Sequence, residues 1–294
     1  MSPPSAAARP LVRVGPGPVV AALAQRHADL GLSARALEVE ALLHLPRLAD
    51  RTGAVEADAA DEEVARLGTR LRSFHEPVEG LLRPPEAAVS VAELRFGDVG
   101  ESLAATIMRH LHYLHSPRHG SVHLANYTPG DRIVAAVSLS GLDLGTIAAA
   151  LPAGLLAEEA LVVSRVFAFD WAPRNTISHL LAQIERWLRQ MRPEIRFLLT
   201  YVNPNLGFDG ASYRAANWSL FGQEIGTRYG YLDGDYISDR EIELLSGAMR
   251  RRVVYSVMPL EPLAIYGRFL QRHDRRREIS PSVLPRAEHF DARS

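Results

Sequence analysis

Residues 200–222 read TYVNPNLGFDGASYRAANWSLFG. The apolar run from Leu198 to Val202 has the length and character of a short buried strand, and Pro204 and Gly207 end it. Gly210 then opens a short helix near 211–217, on which Tyr213 and Asn217, four residues apart, fall on one face. Polar and aromatic side chains therefore gather at the carboxyl end of a strand, where open α/β sheets place their ligands.

Upstream, Leu161 to Phe169 (LVVSRVFAF) is a nearly unbroken apolar strand of the kind buried on both faces. It runs through DWAPRNTIS into an amphipathic helix from Thr176 to Met191. Ser121 to Tyr127 and Arg132 to Ser140 pattern as strands joined by a Thr-Pro-Gly-Asp turn. Before them stand a strand over 90–96 and an amphipathic helix from Glu101 to Leu114. Downstream, a helix from Asp239 to Met249 precedes a last strand over Val253 to Met258. The amino-terminal part reads differently. Residues 1–17, rich in Pro, Ala and Gly, form a loose tail, and 18–88 a helical segment. Its helices run from Val19 to Leu30, after the N-cap Ser33, and after Asp61 as a second N-cap. Residues 89–294 make an α/β domain, an α+β mixed sheet with helices on both faces.

Composition excludes several chemistries. The 294 residues include no cysteine, so disulfides, thiolate zinc sites and a cysteine nucleophile are absent. There is no lysine either: all 33 basic residues are arginine, which removes a Schiff-base lysine and a P-loop lysine. The net charge of −1 argues against a uniformly basic nucleic-acid binder. The basic residues are nonetheless uneven, with Arg250, Arg251, Arg252, Arg268, Arg272, Arg275, Arg276 and Arg277 set against only Glu261 and Asp274. Such a cluster grips a phosphate backbone or forms a solvated face. MSPPSAAARP lacks the apolar centre of a signal peptide and no apolar run reaches spanning length, so a cytoplasmic, membrane-free protein is expected.

Two further stretches bear chemistry. In DWAPRNTIS, Pro173 suits a first helical turn, whose free amides, with Arg174, make an anion site; alternatively Asn175 or Thr176 only caps the helix and Arg174 points to water. HLHYLHSPRHGSVH, 110–123, places His112 and His115 on one helix face, followed by His119 and His123. Clustered imidazoles suit acid–base work or metal ligation, but no zinc spacing is present and no metal is expected. Tyr213 can protonate a leaving group and Asn217 orient an amide or a water; alternatively both satisfy nearby loop carbonyls.

These pieces together resemble the GNAT acyltransferase fold, in which a bulged strand feeds a phosphate-binding turn and helix, and the next strand leads to a helix with a catalytic Tyr. The closest resemblance is to the Mom-like branch, named for the phage protein that elaborates adenine in DNA. It is carried by His112-Tyr113-Leu114, Gly120, Ser164-Arg165, Pro173-Arg174-Asn175, Thr200-Tyr201, Gly207, Gly210, Tyr213, Ala216, Asn217 and Trp218, over roughly residues 90–235. GNAT enzymes carry a glycine-rich turn for the CoA pyrophosphate, whereas this chain has Ala172-Pro173-Arg174-Asn175-Thr176; where the phage branch has Gly-His, it has Gly207-Phe208.

The resemblance implies a transferase that moves an acyl or aminoacyl group from acyl-CoA or aminoacyl-tRNA onto a nitrogen nucleophile, with a small-molecule amine as the expected acceptor. It implies His112 as base, Tyr213 as acid and Asn217 beside them. Arg165, Arg174, Asn175 and Thr176 would hold the donor, and Tyr113, Ser116, Tyr201, Asn203 and Ser212 would line the substrate side. Two alternatives stand beside it: DNA adenine modification, which needs a basic groove and an extruded base, and a non-catalytic GNAT-like binding module.

Overall fold

The apolar runs at 122–140, 160–168 and 197–202 assemble into one sheet because each is too hydrophobic to leave a face in water. The computed structural model describes residues 10–28, 31–142, 151, 152, 154–225, 228–271 and 282–285. The chain divides into two compact units, one of 1–73, 205–207 and 227–261, the other of 74–204, 208–226 and 262–294. This partition differs from the boundaries at 17 and 88 read from sequence, since 227–261 joins the amino-terminal residues.

The larger unit is an eight-stranded mixed sheet in the order Ser282–Pro285, Ser219–Ile225, Leu263–Phe269, Phe197–Val202, Ala160–Ala168, Ile133–Ser140, Val122–Tyr127, Arg95–Asp98. Two of its pairings are parallel: Ala160–Ala168 with Phe197–Val202, and Ser282–Pro285 with Ser219–Ile225. The helix Thr176–Met191 connects the first of these pairs. Leu180, Leu181, Ile184 and Leu188 of that helix pack with Leu198 and Val202 on one sheet face. Because strand side chains alternate, Phe197 and Leu199 point the other way, into a cluster with Leu155, Phe221, Ile265 and Phe269. On that second face Ala104, Ile107 and Met108 of the helix Glu101–His110 cover Ala125 and Ala136. Helices thus lie on both faces, as the sequence pattern requires.

Several boundaries differ from the sequence reading. Ser90 and Glu93 form a reciprocal capping box around a 3-10 turn, Val91–Glu93, which delays the first strand to Arg95. The helix after Glu101 stops at His110, not Leu114, and His115 adopts a left-handed φ of 47°. Leu263–Phe269 was not read as a strand. It inserts antiparallel between Phe197–Val202 and Ser219–Ile225.

In the smaller unit, Leu11–Arg13, within the residues read as a loose tail, pairs antiparallel with Ala54–Glu56. The helix Pro18–Gln25 is shorter than the reading to Leu30, a residue that lies, like residues 1–9, outside the described ones. Ser33 caps Ala34–His44 as expected, accepting from the Ala36 amide at 3.3 Å. Asp61 is not a cap: the helix Ala57–His75 begins four residues earlier, and Asp61 faces His27 and Arg26. The stretch 239–249 is two short helices, Asp239–Leu244 and Gly247–Arg250, each opened by a serine cap. Val254–Tyr255 joins a small sheet with Gly230–Leu232 and Asp235–Ile237. Of the expected arginine cluster, Arg272, Arg275, Arg276 and Arg277 lie outside the described residues.

Candidate active site

The parallel pair Ala160–Ala168 and Phe197–Val202 is joined over only three rungs, the last being Val162 with Leu199. Beyond it the strands part. Ser164 causes part of the divergence, because Arg165 opposes Ser138 while Val163 opposes Leu139, so Ser164 is the extra residue of a β-bulge. At the point of parting, the rung is made by a side chain: Thr200 Oγ1 donates to the Val163 carbonyl at 3.0 Å. The same oxygen lies 3.3 Å from Tyr213 Oη.

Tyr213 reaches this point from the short helix Ala211–Ala215. Gly210 enters the helix with φ 76°, and Asp209 accepts from the Ala211 amide at 2.8 Å and from Arg214 at 3.0 Å. The helix closes with Trp218 N–H bonding to the Tyr213 carbonyl at 2.9 Å and Asn217 N–H to the Arg214 carbonyl at 2.9 Å. The Tyr213 ring sits between Trp218, at 5.4 Å, and Tyr266, at 6.0 Å. Burial pushes its phenol up to about 12.

Asn217 is not beside Tyr213. The helix is too short to carry it; Asn217 is the left-handed residue after the helix end, φ 59°, exposed, with its carbonyl bound by Arg268 at 2.7 Å. The four-residue spacing places two side chains together only when both are helical.

At the start of Thr176–Met191, Asn175 stands at the N-cap with φ 67° and makes no side-chain cap. Thr176 Oγ1 donates instead to the Pro173 carbonyl at 2.6 Å. Neither side chain therefore consumes a first-turn amide, although Thr176 N–H itself bonds to the Pro173 carbonyl at 3.3 Å. Arg174 is exposed. A cavity of about 310 Å³ opens here, lined by Phe169, Pro173, Asn175, Thr176 and Ser178 and, across it, by Ala211, Ser212 and Ala215. A second cavity of about 370 Å³ shares Asn175, Ser178 and Ala215 and extends to His179, Glu185, Asn217 and Arg268. The helix start and the Tyr213 helix thus border one cleft on one sheet face; the Tyr213 side chain, turned to Thr200, lines neither cavity.

His112 and Tyr113 lie in the loop after His110. Arg165 Nε donates to the Ser116 carbonyl at 3.1 Å and Arg165 Nη1 to the Ser164 carbonyl at 2.7 Å, tying this loop to the bulge. Tyr113 stacks on His112 at 4.4 Å and approaches Phe208 at 5.5 Å. Burial, reinforced by Arg165 and His115, drives His112 well below the ordinary histidine range, so it is neutral. Its Nδ1 accepts the Leu114 amide at 3.2 Å, which leaves the proton on Nε2. His112 in this form offers a donor, and a base role requires Leu114 to release it.

Other expected residues lie apart. Tyr201 packs on the opposite sheet face from Thr200, and Asn203 follows the strand end, half-buried. His115 stacks on Phe74 at 4.4 Å and does not share a helix face with His112. His119 meets Glu101 at 3.3 Å, and His123 meets Ser138 Oγ at 2.9 Å. Among the described residues no group of three or more His, Asp or Glu is arranged to hold a metal ion, and no helix is long and apolar enough to cross a membrane. Sequence reading named Thr200 only within the resemblance and gave neither it nor Ser178 a site role; the signal for Thr200 is its alternation with Tyr201, which puts the hydroxyl on the helix-covered face.

Solved structures similar to this chain include an aminoglycoside N(6')acetyltransferase from Legionella pneumophila, 14% identical, covering 70% of this chain and 92% of that one at a TM-score of 0.34. A spermidine/spermine N-acetyltransferase from Vibrio cholerae is 6% identical, with coverage of 64% and 99% and a TM-score of 0.39. A GNAT superfamily phosphinothricin acetyltransferase from Sinorhizobium meliloti, in complex with AcCoA, is 9% identical, with coverage of 60% and 88% and a TM-score of 0.35. The GNAT-like fold rests on the strand order, bulge and parting parallel pair rather than on those scores. No curated protein matches the chain. The Mom protein family matches residues 93–257, which hold the bulge, the helix start and Tyr213. With more than half of its residues inside that match, this chain belongs to the Mom protein family.

Proposed function

We propose that the protein transfers an acyl group from acyl-CoA to the nitrogen of a small-molecule amine. The supporting observation is the cavity of about 310 Å³ bordered by the Pro173–Ser178 helix start and by the helix of Tyr213. An anionic donor tail would lie on the first-turn amides, beside Arg174, with its thioester directed to the parting strands. The amine attacks the carbonyl carbon, the C–S bond breaks, the nitrogen loses one proton to solvent, and the leaving sulfur gains negative charge. A phenol near 12 stays protonated and faces a thiolate whose own conjugate acid titrates about three units lower. Tyr213 accordingly stabilises the sulfur mainly as a hydrogen-bond donor. Neutral His112 and Arg165 hold the loop that closes the acceptor side.

A second reading takes the exocyclic amine of adenine in DNA as acceptor; the family match favours it. The two readings, and an aminoacyl-tRNA donor, separate in one experiment. Thermal stability of the protein is followed with acetyl-CoA, charged tRNA and duplex DNA, with thiol release measured alongside. Stabilisation by acetyl-CoA, and thiol release that depends on added amine, supports the first reading. Stabilisation by charged tRNA alone replaces the donor. DNA binding that falls steeply with salt, and acyl-dependent change of adenine, replaces the acceptor. Stabilisation by none removes the transferase reading.

A further inference from the structure

The Thr200 hydroxyl has one proton and two oxygens within reach. Val163 O is a carbonyl and can only accept, so Thr200 donates to it, and Tyr213 Oη, on the other side at 3.3 Å, donates to Thr200. Thr200 is buried, 2% exposed, and nothing else on its strand offers a hydroxyl on the face toward Tyr213. Val163 is the first residue past the last backbone rung between the parting strands. A valine here would fill the same space but leave a buried carbonyl and a buried phenol without their shared partner.

We propose that Thr200 is a positioning residue for Tyr213, its hydroxyl clasping the strands where they part and fixing the direction of the phenol. The clasp deepens the acyltransferase reading, and its kinetic consequence rests on that reading. When the Tyr213 O–H turns to the leaving sulfur, the Thr200 O–H is free to rotate from Val163 O to Tyr213 Oη. No proton leaves Thr200; it changes acceptor, and the phenolic oxygen keeps a hydrogen bond while its own proton is shared with sulfur.

The test uses the full chain carrying ζ-carbon-labelled tyrosine, with the Tyr213 resonance assigned by its loss in Tyr213→Phe. In Thr200→Val that resonance moves, and in Thr200→Ser it stays at the wild-type position. If Thr200→Val does not fold, Thr200→Cys, close in volume and a weak donor, reads the same way. A folded Val or Cys variant with an unmoved resonance overturns the clasp. With acetyl-CoA and an accepted amine, Thr200→Val lowers kcat about 10-fold with KM within about 3-fold, and Thr200→Ser restores it. Unchanged kcat in Thr200→Val overturns the positioning role. A wild-type protein that transfers no acyl group removes the proposed function instead, and the resonance still decides whether Thr200 holds Tyr213.

Discussion

Gly210 faces the ring of Tyr266 so closely that a methyl group on its Cα would lie 2.6 Å from Cε2 and 2.8 Å from the hydroxyl oxygen. Tyr266 in turn takes a 3.1 Å hydrogen bond from Arg214 and lies parallel to Tyr213. The approach therefore seats the short helix. Gly210→Ala combines this overlap with a left-handed backbone at φ 76° and is expected to destabilise the protein by roughly 2–4 kcal/mol in urea unfolding. Adding Tyr266→Leu should recover part of the loss in a double-mutant cycle; strictly additive costs would show that the contact is not the cause.

Tyr213→Phe removes one oxygen from a ring already packed between Trp218 and Tyr266. Folding should be nearly unaffected. On the transferase reading kcat falls by about 100-fold while KM changes little, as for loss of a hydrogen bond made to the leaving sulfur in the transition state. Steady-state rates across an amine series check this, and unchanged turnover excludes the phenol from the chemistry.

Asn175 occupies a left-handed position where glycine is at ease. Asn175→Gly should keep stability and donor affinity within about 0.5 kcal/mol, whereas Asn175→Val should cost about 1–2 kcal/mol and weaken CoA binding. Calorimetric titration of both variants tests this. Equal affinity in both would mean that the turn's backbone does not contact the donor.

His44, 1% exposed in the smaller unit, is held at about 4 because burial opposes its charged form more than Glu40 and Glu63 favour it. The unfolded imidazole titrates near 6.5. Between those values the unfolded chain binds more protons, so stability rises with pH across the window and is lost as pH falls from about 6.5 to about 4. The full span corresponds to roughly 3 kcal/mol. Unfolding free energy measured from pH 4 to 7 should flatten in His44→Gln by that order; an unchanged slope assigns the dependence elsewhere. His112 adds a loss of the same sign in the larger unit.

The elements most readable from sequence were those with strong local signals. Thr176–Met191 carries its apolar stripe at helical spacing, Val122–Tyr127 and Ile133–Ser140 flank a Pro-Gly turn, and Phe197–Val202 ends at Pro204. The failures were at ends and returns. Residues 111–114 and Asn217 differ from their helical readings because helix termination there depends on the left-handed residues His115 and Asn217 and on packing, not on periodicity. Leu263–Phe269 has no strand reading in the sequence, where Gly267 interrupts the apolar run, yet Gly267 is the position where the Phe197 ring would meet a Cβ at 2.4 Å.

From the sequence alone came the absence of cysteine and lysine chemistry, the βαβ unit around DWAPRNTIS, and the placement of Tyr213 after the following strand. Composition and short-range pattern determine those. Only the tertiary structure decided that Tyr213 meets Thr200, that Tyr201 faces away, and that Asn175 and Ser212 border one cleft. Those relations depend on which strands neighbour one another and where two of them part, and such pairings between distant residues leave no local trace in the chain.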